Sequence, residues 1–142
     1  MSSIASPLTV PVASSRTAAY LQILSRALIA AIFLMSAIGK LTNFGPTVAF
    51  SGQMGLPAPQ LAIAAAIVLE LGGGLALLLG YRVRLATLAL IVFMIPTTLI
   101  FHVTQMGNAV GGQEQVAHVL KNLAIIGGLL KFYLDAPPTR EA

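Results

Sequence analysis

Four stretches of the chain are apolar almost without interruption, at 18–39, 60–79, 83–101 and 115–134. A bilayer's hydrocarbon core of about 30 Å needs about 20 mostly apolar residues per helix. The pattern therefore predicts four transmembrane helices. Between the second and third lies only "GYRVR", a turn short enough to make its flanking helices antiparallel neighbours. "TNFGPTVAFSGQMGLPAP" joins the first two. Its Pro and Gly residues flank a stretch with Val48, Phe50 and Met54, which predicts a short interfacial helix. "HVTQMGNAVGGQEQ" joins the last two and reads as a flexible polar loop. The expected architecture is all-α, an integral membrane four-helix bundle. A flexible cytoplasmic tail is expected over 1–17, the transmembrane domain over 18–134, and a cytoplasmic C-terminal tail over 135–142.

Composition agrees with the pattern. Hydrophobic residues make up 57% of the 142 residues and charged residues 8%, with a mean hydropathy of +0.91. A soluble domain carries about 25% charged residues, so this chain cannot cover itself with a water-facing surface. The basic residues form no run, which argues against a nucleic-acid partner. The N-terminal "MSSIASPLTVPVASS" has no Lys or Arg and lacks the form of a signal peptide. With no cysteine, disulfides and cysteine-ligated iron–sulfur clusters are excluded. Arg16, Arg82, Arg84, Lys131 and Arg140 fall on one side of a four-span bundle, and Lys40 and Lys121 lie toward the other. Lysine and arginine favour the cytoplasmic side, so both termini are expected inside.

The few charges within the spans carry the candidate chemistry. Glu70 lies about 15 Å from either end of its helix, where a charge is costly and turns toward a partner or a wet cavity. Ala66, Gly73 and Gly74 share its face, as expected of a helix interface. Depth matching makes Arg26 the expected partner. Such a pair either fixes helix register or anchors a ligand headgroup or exchanges a proton with it, and the sequence leaves both open. Arg26, Ala30, Phe33, Ala37 and Lys40 follow 4-3-4-3 spacing and share one face. Arg84, Thr87, Thr98 and His102 fall close to one stripe of the third helix, and His118, Lys121 and Asn122 share a face of the fourth. Lys40, His102 and Lys121 are thus candidates to line a common interior, although a lysine at a helix end usually snorkels outward. Glu114 and His118 have a chelating spacing, but with only His102 to add, no metal is predicted, and nothing requires a haem. Pro96 is expected to bend the third helix.

These residues, in this order, resemble the DoxX family of small four-span bacterial inner-membrane proteins. The elements are Arg26, "SAIGKL" ending at Leu41, "GLP" at Gly55 to Pro57, Glu70, "LLLGYRVR" ending at Arg84, His102, and "KNLAIIGGLL" from Lys121. Ser25 and Ala37 stand where the family often has glycine. The resemblance implies four spans, the inner membrane, and association with quinone handling and membrane oxidoreductase complexes. The expected function is a quinone-associated subunit or accessory protein of an oxidoreductase system. Arg26 and Glu70 would contact a quinone-like headgroup, Glu70 being the candidate proton-exchanging group. His102, Lys121 and Asn122 would form the polar outer end. Electrons would pass to or from a partner oxidoreductase subunit; a homo-oligomer is the other expected assembly. The alternatives are a noncatalytic assembly subunit that docks a larger complex, and a small transporter.

Overall fold

Inside a bilayer no water satisfies backbone polar groups, so an apolar run must close its hydrogen bonds within itself as a helix. The computed structural model describes residues 15–108 and 111–137. Those residues form α1 (Ser15–Thr42), α2 (Phe44–Gln53), α3 (Pro59–Leu79), α4 (Val83–Phe101), a 3₁₀ turn (Val103–Gln105) and α5 (Gly112–Asp135). Helices α1, α3, α4 and α5 are each long and apolar enough to cross a membrane.

Two of these helices extend three residues beyond their apolar runs at one end or both. Helix α1 begins at Ser15 rather than 18 and continues to Thr42 rather than 39. Its last carbonyls find partners, since Thr42 Oγ1 donates to the Ile38 carbonyl at 2.9 Å and Asn43 Nδ2 to that of Gly39 at 3.1 Å. Helix α5 takes in Gly112 to Glu114 from the expected loop, and the 3₁₀ turn takes in more of it. Residues 109–110, most of the expected N-terminal tail and most of the C-terminal tail lie outside the described residues. Helix α4 runs unbroken through Pro96.

Helix α3 starts with Pro59, whose missing N–H costs nothing in a first turn. It ends at Gly80, which has φ +73°. The Gly80 and Tyr81 N–H groups donate back to Leu77 and Ala76 at 3.2 and 2.8 Å, closing the Schellman arrangement that a left-handed residue permits. The chain then reverses through Arg82 into α4.

Packing follows the small residues of α3. Gly73 lets Leu90 of α4 approach so closely that a Cβ there would lie 2.8 Å from its side chain, and Gly74 does the same for Leu34 of α1 at 3.0 Å. Helices α1, α3, α4 and α5 therefore sit side by side in that order, and α5 returns to α1 only sparsely. Ala30, Phe33, Leu77, Leu90, Met94, Ile125 and Leu129 form the core. Leu28, Met35, Leu61, Val68, Val92 and Leu123 face outward, as lipid-facing residues do. The ten-residue α2 lies at the end holding the longer connections, the loop end, where Phe50 stacks on Phe101 with ring centroids 6.2 Å apart.

Candidate functional site

The buried acid of α3 is paired, but not with Arg26. Glu70, 3% exposed, holds the Lys40 ammonium, whose Nζ lies 2.9 Å from both Oε1 and Oε2. Ser36, one turn before Lys40, donates to Glu70 Oε1 at 3.0 Å, and Lys40 Nζ donates to the Ser36 hydroxyl. The result is a closed three-residue cluster on the α1–α3 seam.

The Arg26–Glu70 pair expected from depth is therefore corrected. Antiparallel register sets Arg26 beside Gly80, so Ser36, ten residues on, sits beside Glu70 ten residues back. The Arg26 guanidinium fills the space a side chain would take at Gly80, its Nη1 standing 2.2 Å from where a Cβ would be. It therefore meets the negative end of the α3 dipole. Its Nε is buried without a hydrogen-bond partner among the described residues. Lys40 departs from expectation for a related reason. Helix side chains tilt toward the N-terminus, so a lysine near the end of α1 reaches back into the bundle.

Gly80 links this end to a measurable cost. Gly80→Ala should destabilise the protein by about 1–3 kcal/mol through its left-handed backbone, with a further loss from displacing Arg26. The further loss should vanish in an Arg26→Ala background, which a double-mutant cycle of unfolding in mixed micelles reads directly.

The Lys40–Ser36–Glu70 cluster forms part of the wall of a cavity of about 460 Å³. His102, Lys121, Asn122 and Thr97 supply further polar groups from α4 and α5, and Phe33, Ile63, Phe93, Met94 and Ile125 supply much of the apolar wall. Four of the five predicted ligand residues, Glu70, His102, Lys121 and Asn122, thus meet at one space. Arg26 does not line it. The stripe reading of α1 holds, for Ala30, Phe33 and Ala37 are buried between Arg26 and Lys40.

The α4–α5 wall has its own network. Asn122 Nδ2 donates to Thr98 Oγ1 at 3.0 Å, both residues being buried, and Thr98 in turn donates to the Met94 carbonyl at 2.7 Å. His102 Nδ1 contacts Gln115 Oε1 at 2.7 Å, and its ring stacks on that of His118 with centroids 4.9 Å apart. His118 Nδ1 is 3.3 Å from Lys121 Nζ, and its Nε2 lies 3.7 Å from Glu114. Stacked imidazoles send their lone pairs parallel rather than toward a common point. Among the described residues no group of three potential metal ligands gathers.

Sequence reasoning placed Thr98 on the polar stripe of the third helix without its Asn122 partner, and it missed Ser36. Ser36 stands four residues before Lys40 on the same helix, so a shared face was available as a signal. Serine and threonine in helices more often bond their own backbone, as Thr97 and Thr104 do here, and that habit hid it.

The architecture and this polar interior can be set beside known proteins. No solved structure matches the chain. It is 32% identical to the inner membrane protein YqjF of Escherichia coli (strain K12) over 115 residues, covering 81% of this chain and 83% of that protein. It is 28% identical to the inner membrane protein YphA of the same organism over 119 residues, covering 82% and 84%. With such relatives and four membrane-length apolar helices, the chain is a multi-pass inner-membrane protein. The DoxX family model matches residues 21–103, and the chain belongs to the DoxX family.

Proposed function

We propose that the bundle binds a quinone-type headgroup in this cavity, as a membrane subunit or accessory protein of an oxidoreductase system, with both termini on the cytoplasmic side. The observation that carries the reading is the cavity itself. About 460 Å³ falls in the range of ligand sites that are mostly apolar with a few convergent polar groups. Its polar groups stand on two walls, Lys40, Ser36 and Glu70 on α1–α3 and His102, Lys121 and Asn122 on α4–α5. A ring with oxygens at opposite ends suits that division.

Counting donors refines the chemistry. An ammonium has three N–H groups, and Lys40 directs contacts to Glu70 Oε1, Glu70 Oε2 and Ser36 Oγ. The Ser36 hydroxyl is committed to Glu70 as well. What this wall keeps free is acceptor capacity on the carboxylate, which suits a ligand hydroxyl, as in a hydroquinone. The opposite wall is richer in donors, from Lys121 and Asn122. Arginine and lysine at the turn between α3 and α4 and at the end of α5 support the orientation.

Quinones and lipids co-purifying in a lipid-preserving preparation should be quantified by mass spectrometry for wild type and Glu70→Gln. Near-stoichiometric quinone on wild type, lost in a variant that stays folded, is the expected result. No enrichment on either protein would sink the proposal. One observation favours a second reading: the α1–α3 cluster is nearly self-satisfied, as befits a pair that only sets helix register in a noncatalytic assembly subunit. In that case Glu70→Gln lowers the melting temperature or releases a partner protein and changes no bound small molecule.

A further inference from the structure

The seam between α1 and α5 is where the bundle closes least. Residues 32–40 of α1 and 121–125 of α5 border the polar cavity from its two sides. Further along the same antiparallel pair, residues 18–29 and 128–135 border a second, more open groove of about 720 Å³. Between the two spaces the helices meet where Ile29 leans into Gly128, so closely that a Cβ on Gly128 would lie 2.5 Å from Ile29 Cδ1. The cavity and the groove thus open along one seam, with the Ile29–Gly128 contact at the end of the groove nearer the cavity.

We propose that the ligand of the cavity is a long-tailed amphiphile whose aliphatic chain crosses the Ile29–Gly128 waist and lies in the α1–α5 groove. This rests on the headgroup reading above and adds the tail, its path and the residues that select it. Three features favour a neutral aliphatic occupant. The groove wall is largely apolar, with Leu21, Leu24, Leu28, Ile29 and Phe132. Its length along α1, about 17 Å at 1.5 Å per residue, matches half of a hydrocarbon core about 30 Å thick, the depth one lipid tail spans. At its far end the two charged residues that line it, Lys131 and Asp135, form an ion pair with each other. Gly128 is the requirement at the waist, because any larger residue pushes Ile29 into the path.

The test compares two probes on the purified full chain, a benzoquinone ring without a tail and the same ring with a long isoprenoid tail. Each is titrated against wild type, Ser25→Trp and Leu28→Trp under identical detergent conditions. Both substitutions fill the groove from its rim, and Leu28 is 63% exposed, so at least that variant should fold. Wild type should bind the tailed ring at least about tenfold more tightly than the bare ring, as burial of a few methylenes implies. The variants should bind the tailed ring no better than the bare one, with bare-ring affinity unchanged. Equal binding of both probes by wild type overturns the tail path and leaves the headgroup site standing. Binding of neither overturns both. A tail preference that survives in both variants places the tail elsewhere and overturns the proposal. So does a dimer that Ser25→Trp or Leu28→Trp breaks while the preference persists, which assigns the groove to a second copy of the chain.

Discussion

Lys40→Met should destabilise the bundle by about 3–5 kcal/mol, the cost of stranding one partner of a buried ion pair. The asymmetry of the pair sets the direction. The Glu70 side chain is 5% exposed and that of Lys40 21%, so the acid is the harder of the two to solvate once its partner is gone. Ser36 still donates to Oε1, but one hydroxyl does not replace a cation bonded to both carboxylate oxygens. Glu70→Gln should cost less, because the freed lysine lies near the loop end of α1 and can turn toward the membrane surface. The double variant Lys40→Met/Glu70→Met should recover most of the loss, since apolar replacements of a buried pair are often neutral or stabilising. Reversible unfolding of wild type, Lys40→Met, Glu70→Met and the double variant in mixed micelles completes the cycle. A Lys40→Met variant as stable as wild type would show that the pair contributes nothing to folding.

Gly73→Leu should be nearly as damaging, through sterics alone. A Cβ at Gly73 already falls 2.8 Å from the Leu90 side chain, and Leu90 is fully buried in the core beside Leu77 and Met94. Three more carbons must separate α3 from α4 or drive Leu90 off its rotamer, at a cost of about 3 kcal/mol or more. The adjacent Gly72 is the control. A Cβ there meets nothing within 4 Å, so Gly72→Leu should be neutral or stabilise by up to about 1 kcal/mol through helix propensity. Thermal melts of the two variants side by side separate packing from propensity. Equal stabilities would mean that α3 and α4 do not approach as closely as Gly73 allows.

The candidate site was partly legible because a polar residue in an apolar span announces itself. Glu70, His102, Lys121 and Asn122 could be picked out one by one, and they line one cavity. The stripe from Arg26 to Lys40 was legible too, since helical periodicity assigns a face. Ser36 was not, because nothing in the chain says whether a helical serine bonds its own backbone or a neighbouring carboxylate.

By itself the sequence determined the four spans, the antiparallel turn between α3 and α4, and the face of α1 that turns inward. Those follow from local physics, the exclusion of unpaired backbone groups from lipid and the helical repeat. Only the tertiary structure decided which cation meets Glu70. Arg26 and Lys40 lie on the same stripe about 21 Å apart, and periodicity says nothing of how far one helix slides along another. That offset is set where Leu34 seats on Gly74 and the Arg26 guanidinium seats on Gly80, contacts between residues distant in the chain. Sliding α1 to bring Arg26 to Glu70 would unseat both.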